Sequence, residues 1–245
     1  MNNLFLSRLC LNPLFAPALR FAADPYDIHL KLLATLPCVP KPKPATGDQP
    51  KTAGVLFRVD TSNTGPVVLI QTMTEPDWGA FKVAPRAFRC PPKTKAYDPK
   101  FTPGQRLAFR LLGQPAVRKS GRFGLRPNGK RMPGPRQACH NDEERLAWLR
   151  RKGTQGGFAI ETVGLSRVDW RNTKPMQAKG GQVVETYEQA RRRAFGYEHK
   201  RLDAVRFDGV LVVTDPVIFC ATVAKGVGSG KAFGFGLLSI ARADP

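Results

Sequence analysis

The chain has 245 residues, 42% of them hydrophobic, with 22 prolines, 23 glycines and a formal net charge of +20 at a pI near 10.3. This is enough for one large or two small cores, and so basic a chain attracts nucleic acid or an anionic membrane before any specific contact forms. The five cysteines at 10, 38, 90, 139 and 220 form no CxxC pair and stand apart from the three histidines, which argues against a zinc site and predicts reduced thiols in a cytoplasm, and no apolar run reaches bilayer length.

In chain order, residues 3–11 predict a strand. The start, Leu4-Phe-Leu-Ser-Arg-Leu, is faintly like a signal sequence, but Arg8 interrupts it and no small-residue cleavage site follows. Asp24-Pro25 predicts a helix start, with Asp24 as N-cap and proline at the first helical position. That helix runs from Tyr26 to about Leu36 and is closed by Pro37. Residues 40–52 are a proline-rich linker or surface loop. Strands follow at 54–60 and 66–73 around a Thr-Ser-Asn-Thr-Gly turn. Residues 84–103 are proline-rich and basic, and 105–112 predict a strand. The first half is thus close to a ferredoxin-like unit with a poor second helix, spanning 1–112.

The pattern restarts at 113. Residues 115–136 alternate basic residues with glycine and proline, as in a hairpin or exposed loop. Asn141 and Glu144 predict a capping box before a helix carrying Leu146, Trp148 and Leu149. Strands are expected at 158–168 and 206–214, with a basic segment, 191–201, between them. Asp215-Pro216 repeats the helix-start device, and a last strand covers 235–242. Residues 113–245 therefore make a second unit. The expected fold is α+β: two tandem ferredoxin-like (RRM-like) domains, antiparallel sheets with helices on one face.

The most unusual stretch is Gly226–Gly236, with five glycines in eleven residues and Lys231 near its middle. Such a loop can aim several N–H groups at a phosphate, and Lys231 adds charge. Gly226, Gly228, Gly230 and Lys231 are accordingly candidate anion contacts. It is not a Walker A loop, because position 225 is Lys and position 232 is Ala. It is not a Rossmann fingerprint either, because the order is helix, loop, strand. A nucleotide cofactor is not expected. The alternative is a tight structural crossover between helix and edge strand.

From Pro99 to Asn141 no acidic residue occurs. Arg118, Lys119, Arg122, Arg126, Lys130 and Arg131 sit there among glycine, proline, serine and asparagine. Arginine suits bidentate contact with phosphate, and a basic hairpin can enter a helical groove. The alternative is a solvated charge run, and Arg191–Arg193 stay unassigned between the two.

His29 is the one histidine of the amphipathic helix; Tyr26 lies one turn earlier on the same face and Arg20 just before the helix. A histidine beside a tyrosine suits removal of the proton from a ribose 2′-hydroxyl. RNA carries its own nucleophile, so this chemistry requires no metal. The products are a 2′,3′-cyclic phosphate and a 5′-hydroxyl, and Lys231 with its loop can stabilise the phosphorane charge. The alternative is a packing or capping histidine. Lys31 points away from the His29 face and position 34 is Ala, so no general acid is identified for the leaving group.

Taken together, Asp24-Pro-Tyr-Asp-Ile-His29, Leu146-Ala-Trp-Leu-Arg-Arg-Lys152, Phe207-Asp-Gly-Val-Leu and Gly226-Val-Gly-Ser-Gly-Lys-Ala-Phe-Gly-Phe-Gly-Leu-Leu-Ser resemble the CasE family of precursor-CRISPR-RNA endoribonucleases of the type I-E Cascade complex. The resemblance spans most of the chain; the glycine signature is its specific part. It implies two ferredoxin-like domains that bind the stem-loop of the CRISPR repeat, with a basic hairpin of the second domain in the major groove. It implies metal-independent cleavage at the 3′ base of the stem, with His29 and Tyr26 in the family's catalytic positions. The cut hairpin is then kept and the protein stays as a Cascade subunit, next to the backbone subunit at the 3′ end of the RNA. Some members carry a lysine after the helix histidine, where this chain has Ala34. The proline-rich stretches 40–52 and 84–103 stand as embellishments of this chain.

Overall fold

Leu4–Cys10 forms the first strand, β1, in the computed structural model, which describes residues 4–37, 54–118, 134, 136–168 and 204–243. Alternate residues enter the core, so Leu9 and Leu11 are buried beneath the helices. An unanticipated helix, α1 (Ala16–Ala23), comes next. Then α2 (Pro25–Ala34) starts as expected: Asp24 accepts hydrogen bonds from the N–H groups of Tyr26 and Asp27 at 3.1 Å each, and Pro25 occupies the first turn.

Strands β2 (Leu56–Ser62) and β3 (Gly65–Thr72) form a hairpin. The proline-rich stretch after it contains two 3-10 turns, Trp78–Ala80 and Pro85–Ala87, and a strand, β4 (Lys93–Tyr97). The sheet order is β2-β3-β1-β4, antiparallel throughout. Phe81 and Ala87, from the turn segment, join Ile28, Leu32, Phe57 and Ile70 in one core. The turns thus take the place of the second helix of a ferredoxin-like unit.

Strand β5 (Arg106–Gly113) departs from expectation. It pairs with β9 (Ala204–Val213) and β10 (Leu238–Arg242) in a second sheet, ordered β10-β5-β9-β8, with β8 being Phe158–Val168. The boundary expected at 112/113 therefore falls at the end of a strand of the second sheet. The fourth strand of the first sheet is Lys93–Tyr97, whose polar sequence hid it among prolines. Between β5 and β8 lie a short ladder, β6 (Ala116–Arg118) with β7 (Arg136–Ala138), and helix α3 (Asp142–Gln155). Helix α4 (Pro216–Lys225) links β9 to β10.

Both sheets thus share one strand order, and the architecture is α+β with tandem ferredoxin-like units. Asn141 caps α3 by accepting from the Glu144 N–H at 2.8 Å. The returning Glu144 carboxylate accepts from the His140 N–H at 2.8 Å, one residue earlier than in a standard capping box. Asp215 caps α4 through the Ile218 N–H at 2.9 Å. Trp148, Leu149, Phe158, Phe207 and Phe219 build the second core. Among the described residues no helix is long and apolar enough to cross a membrane.

Candidate RNA-processing site

Helix α2 carries Tyr26 and His29 on adjacent turns. The His29 ring is 6% exposed and stacks on Phe57 of β2, centroids 6.4 Å apart with 20° between planes. The Tyr26 ring lies 6.3 Å from that of His29 and 5.9 Å from that of Phe233. Phe233 belongs to the glycine-rich loop, so a residue near the far end of the chain backs the tyrosine that stands beside the imidazole. Burial pushes the His29 pKa below its ordinary value of 6.5. Its Nδ1 is sealed from solvent with no hydrogen-bond partner among the described residues, a further obstacle to the imidazolium, which needs both nitrogens solvated. The ring is therefore neutral near pH 7.

Two hydrogen bonds hold the loop in place. Val227 N–H donates to the Gly236 carbonyl at 2.9 Å, and Gly236 N–H donates to the Leu112 carbonyl at 2.8 Å, at the end of β5. The 3-10 turn Lys231–Phe233 then packs on α2 and β2. At Gly234, φ is +79° and an added Cβ would stand 3.2 Å from the Phe57 ring; a side chain there would push the loop off the wall of His29.

The predicted phosphate contacts divide into two sets. Gly226 does not offer a free donor, since its N–H caps α4 by donating to the Thr222 carbonyl at 2.7 Å. The N–H groups of Gly228, Ser229 and Gly230 have no acceptor among the described residues, and φ is +81° at Gly228 and +80° at Gly230. Successive N–H groups between positive-φ glycines are the backbone pattern that anion-binding nests use. The crossover reading also holds in part, because a Cβ at Gly228 would meet Trp148 at 3.0 Å and one at Gly230 would meet Phe235 at 2.6 Å. Lys231, half-buried and next in sequence, has its pKa lowered by burial and then by Lys225.

Arg20 is exposed in the last turn of α1. Arg118 is exposed at the base of the β6–β7 ladder, and its guanidinium donates to the Gly134 carbonyl at 3.3 Å. Lys119, Arg122, Arg126, Lys130, Arg131, Arg191–Arg193 and the stretch 40–52 lie outside the described residues. Lys31 pairs with Asp27 and sits 5.3 Å from the Phe21 ring, away from His29 as the helical spacing requires. Phe57, stacked on His29, and Phe233, against Tyr26, were not singled out in the sequence. The signal for Phe233 was its place inside the glycine signature; Phe57 read only as a core strand residue. Among the described residues no group of three His, Cys, Asp or Glu side chains is placed to hold a metal ion.

A family model described as CRISPR associated protein matches residues 4–242. The chain belongs to that family. It is 35% identical over 243 residues to the CRISPR-associated endoribonuclease Cse3 of Thermus thermophilus, covering 97% of this chain and 100% of the relative. A solved structure of Thermus thermophilus Cse3, bound to an RNA representing a pre-cleavage complex, superposes with a TM-score of 0.67 at 30% identity, over 98% of this chain and 99% of that one. Cas6e of Escherichia coli, 22% identical with a TM-score of 0.58 over 98% and 100% of the chains, has the same fold.

Proposed function

We propose that this protein is a metal-independent endoribonuclease that binds the CRISPR repeat stem-loop and cuts precursor CRISPR RNA. The observation that carries the reading is the buried imidazole of His29, set beside Tyr26 and Phe57 on the helix against which the Lys231–Phe233 turn of the glycine loop packs. Full-length identity to an endoribonuclease of the same family supports it.

His29 takes the proton of the 2′-hydroxyl, and the 2′-oxygen attacks the adjacent phosphorus. Tyr26 orients the ribose. The free N–H groups of Gly228–Gly230 and the Lys231 ammonium neutralise the phosphorane. The bond to the 5′-oxygen breaks, and that oxygen takes a proton from Lys231, made a better donor by burial and by Lys225. A 2′,3′-cyclic phosphate and a 5′-hydroxyl result. Arg20, Arg118 and the basic residues through Arg131 hold the stem by its phosphates. The cut hairpin stays bound, and the protein remains in the cytoplasm as a Cascade subunit beside the backbone subunit at the 3′ end of the RNA.

The burial of His29 favours a second reading, a non-catalytic RNA-hairpin-binding subunit in which the imidazole only packs. One comparison separates the two. Wild type and His29→Ala are incubated in excess EDTA with RNA carrying the CRISPR repeat of the source genome. Catalysis by His29 predicts cleavage by the wild type and binding without cleavage by the variant. Equal cleavage by both proteins, or loss of wild-type cleavage on chelation, contradicts the assignment.

A further inference from the structure

The proposed cleavage leaves unused the face of the first sheet turned away from α1 and α2. Antiparallel register places Arg8 of β1 directly opposite Lys93 of β4, and Leu6 opposite Lys95. Directly paired residues put their side chains on the same face, so Arg8, Lys93 and Lys95 share it with Leu69, which pairs with Arg8 from the other side. All three cations are exposed, and none makes an ion pair among the described residues. Asp60, the one carboxylate that the strand pairing places on this face, is held in a two-pronged bond by Arg58 at 2.8 and 2.9 Å.

Like charges directly opposite in an antiparallel ladder destabilise it. A further cation, Arg89, shares a cavity with Arg8. With Arg8, the hydroxyls of Ser62 and Thr64, and the apolar Val67 and Leu69, it lines an open cavity of about 530 Å³. An anion lying across the face relieves the repulsion that the folded chain tolerates alone.

We propose that this face is a second anion-binding surface, taking the phosphate backbone of single-stranded RNA that continues beyond the stem-loop. The proposal rests on the preceding reading only in naming RNA as the ligand. Lys93 and Lys95 are two residues apart on one strand, about 6.6 Å, which suits successive phosphates of an extended strand. Tyr97, the aromatic of β4, packs into the second core, so the face offers charge and no stacking platform and holds RNA without reading its sequence. His29 lies on the opposite side of the sheet with Phe57, so the two surfaces are distinct.

The test measures binding of the full chain, across a salt series, to two RNAs: oligouridylate of about 20 nucleotides, and a repeat hairpin without flanks bearing a 2′-deoxy residue at the cut position. In the triple variant Arg8→Gln/Lys93→Gln/Lys95→Gln, oligouridylate affinity falls about tenfold or more, and its log–log salt slope is shallower by about 0.7 per lost contact. Hairpin affinity stays within about twofold of wild type. Lys93→Glu, which gives Arg8 a cross-strand partner, raises the Tm of the free protein at low salt and weakens oligouridylate binding, whereas a purely structural role moves both the same way. Unchanged oligouridylate affinity and slope in the triple variant overturn the proposal and leave the face to an acidic protein. Failure of the wild type to bind either RNA overturns the RNA reading itself.

Discussion

His29 is the residue on which chemistry and stability meet. Burial lowers its pKa, which favours the neutral form that the proposed base chemistry requires. The pH dependence of the apparent second-order rate constant reports ionisations of the free protein. Cleavage therefore rises with pH along a limb centred below the ordinary histidine value of 6.5 and levels off near neutrality. A limb centred above that value would show that another group is titrating. The same shift bears on folding. As pH falls below 6.5 the unfolded chain takes up the His29 proton before the folded chain does, so stability is fully present above that pH and is lost as pH falls through the folded pKa. His29→Phe keeps an aromatic beside Phe57 and removes the titration; thermal denaturation then shows a smaller acid-side loss of Tm than wild type.

At the scale of elements, the glycines separate into two kinds with different costs. At Gly104 φ is +76° and a new Cβ meets nothing within 4 Å, so Gly104→Ala costs only the backbone strain, about 1–2 kcal/mol. At Gly236 φ is +90° and the Cβ would stand 2.7 Å from the carbonyl oxygen of Val227, the residue whose N–H donates to the Gly236 carbonyl and holds the loop. Gly236→Ala is therefore expected to cost above about 3 kcal/mol and to abolish cleavage, and denaturant melts of the two variants check the difference. The Asp24 cap sits one turn ahead of His29. Asp24→Ala loses about 0.5–2 kcal/mol and lowers the cleavage rate by fraying the turn that carries Tyr26.

The caps at Asp24, Asn141 and Asp215 were legible in the sequence because side-chain capping is local, and each was found where its residue type and spacing put it. Helix α1 was missed because Pro17, with no preceding side-chain cap, gives no start signal. The hydrogen bonding of the glycine loop was legible only in part. Its donors at Gly228 and Gly230 have no acceptor among the described residues, while the role of Gly226 as a helix cap depends on Thr222 and could be seen only after folding.

At the scale of the whole molecule, the sheets are joined by polar bonds that no local pattern announces. Arg58 is 3% exposed, pairs with Asp60, and donates across to the Arg110 carbonyl at 3.3 Å. The Gln71 amide donates to the Val223 carbonyl at 2.8 Å, near the end of α4. Tyr26 and His29 come from the first unit and Lys231 from the second, so this seam sets how they meet. Gln71→Leu leaves the α4 carbonyl buried without that donor. It should cost about 1–3 kcal/mol and slow cleavage while hairpin affinity changes little; loss of affinity alone would place the seam's role elsewhere. The tandem unit pattern was legible from strand and helix order, but the partition of strands was not. Residues 105–112 and the polar Lys93–Tyr97 differ in which sheet they join, and that is fixed by long-range pairing of β5 with β9 and β10.

On the proposed mechanism the chain cuts RNA by using the 2′-hydroxyl as nucleophile, with His29 as base and no metal. The most direct measurement is the end group left on the 5′ fragment when wild type cuts a repeat RNA in excess EDTA, beside the same RNA with a single 2′-deoxy residue at the cut position. The first RNA should end in a 2′,3′-cyclic phosphate, and the second should bind tightly with no cut. A 3′-hydroxyl end, or cleavage of the 2′-deoxy RNA, would contradict that mechanism.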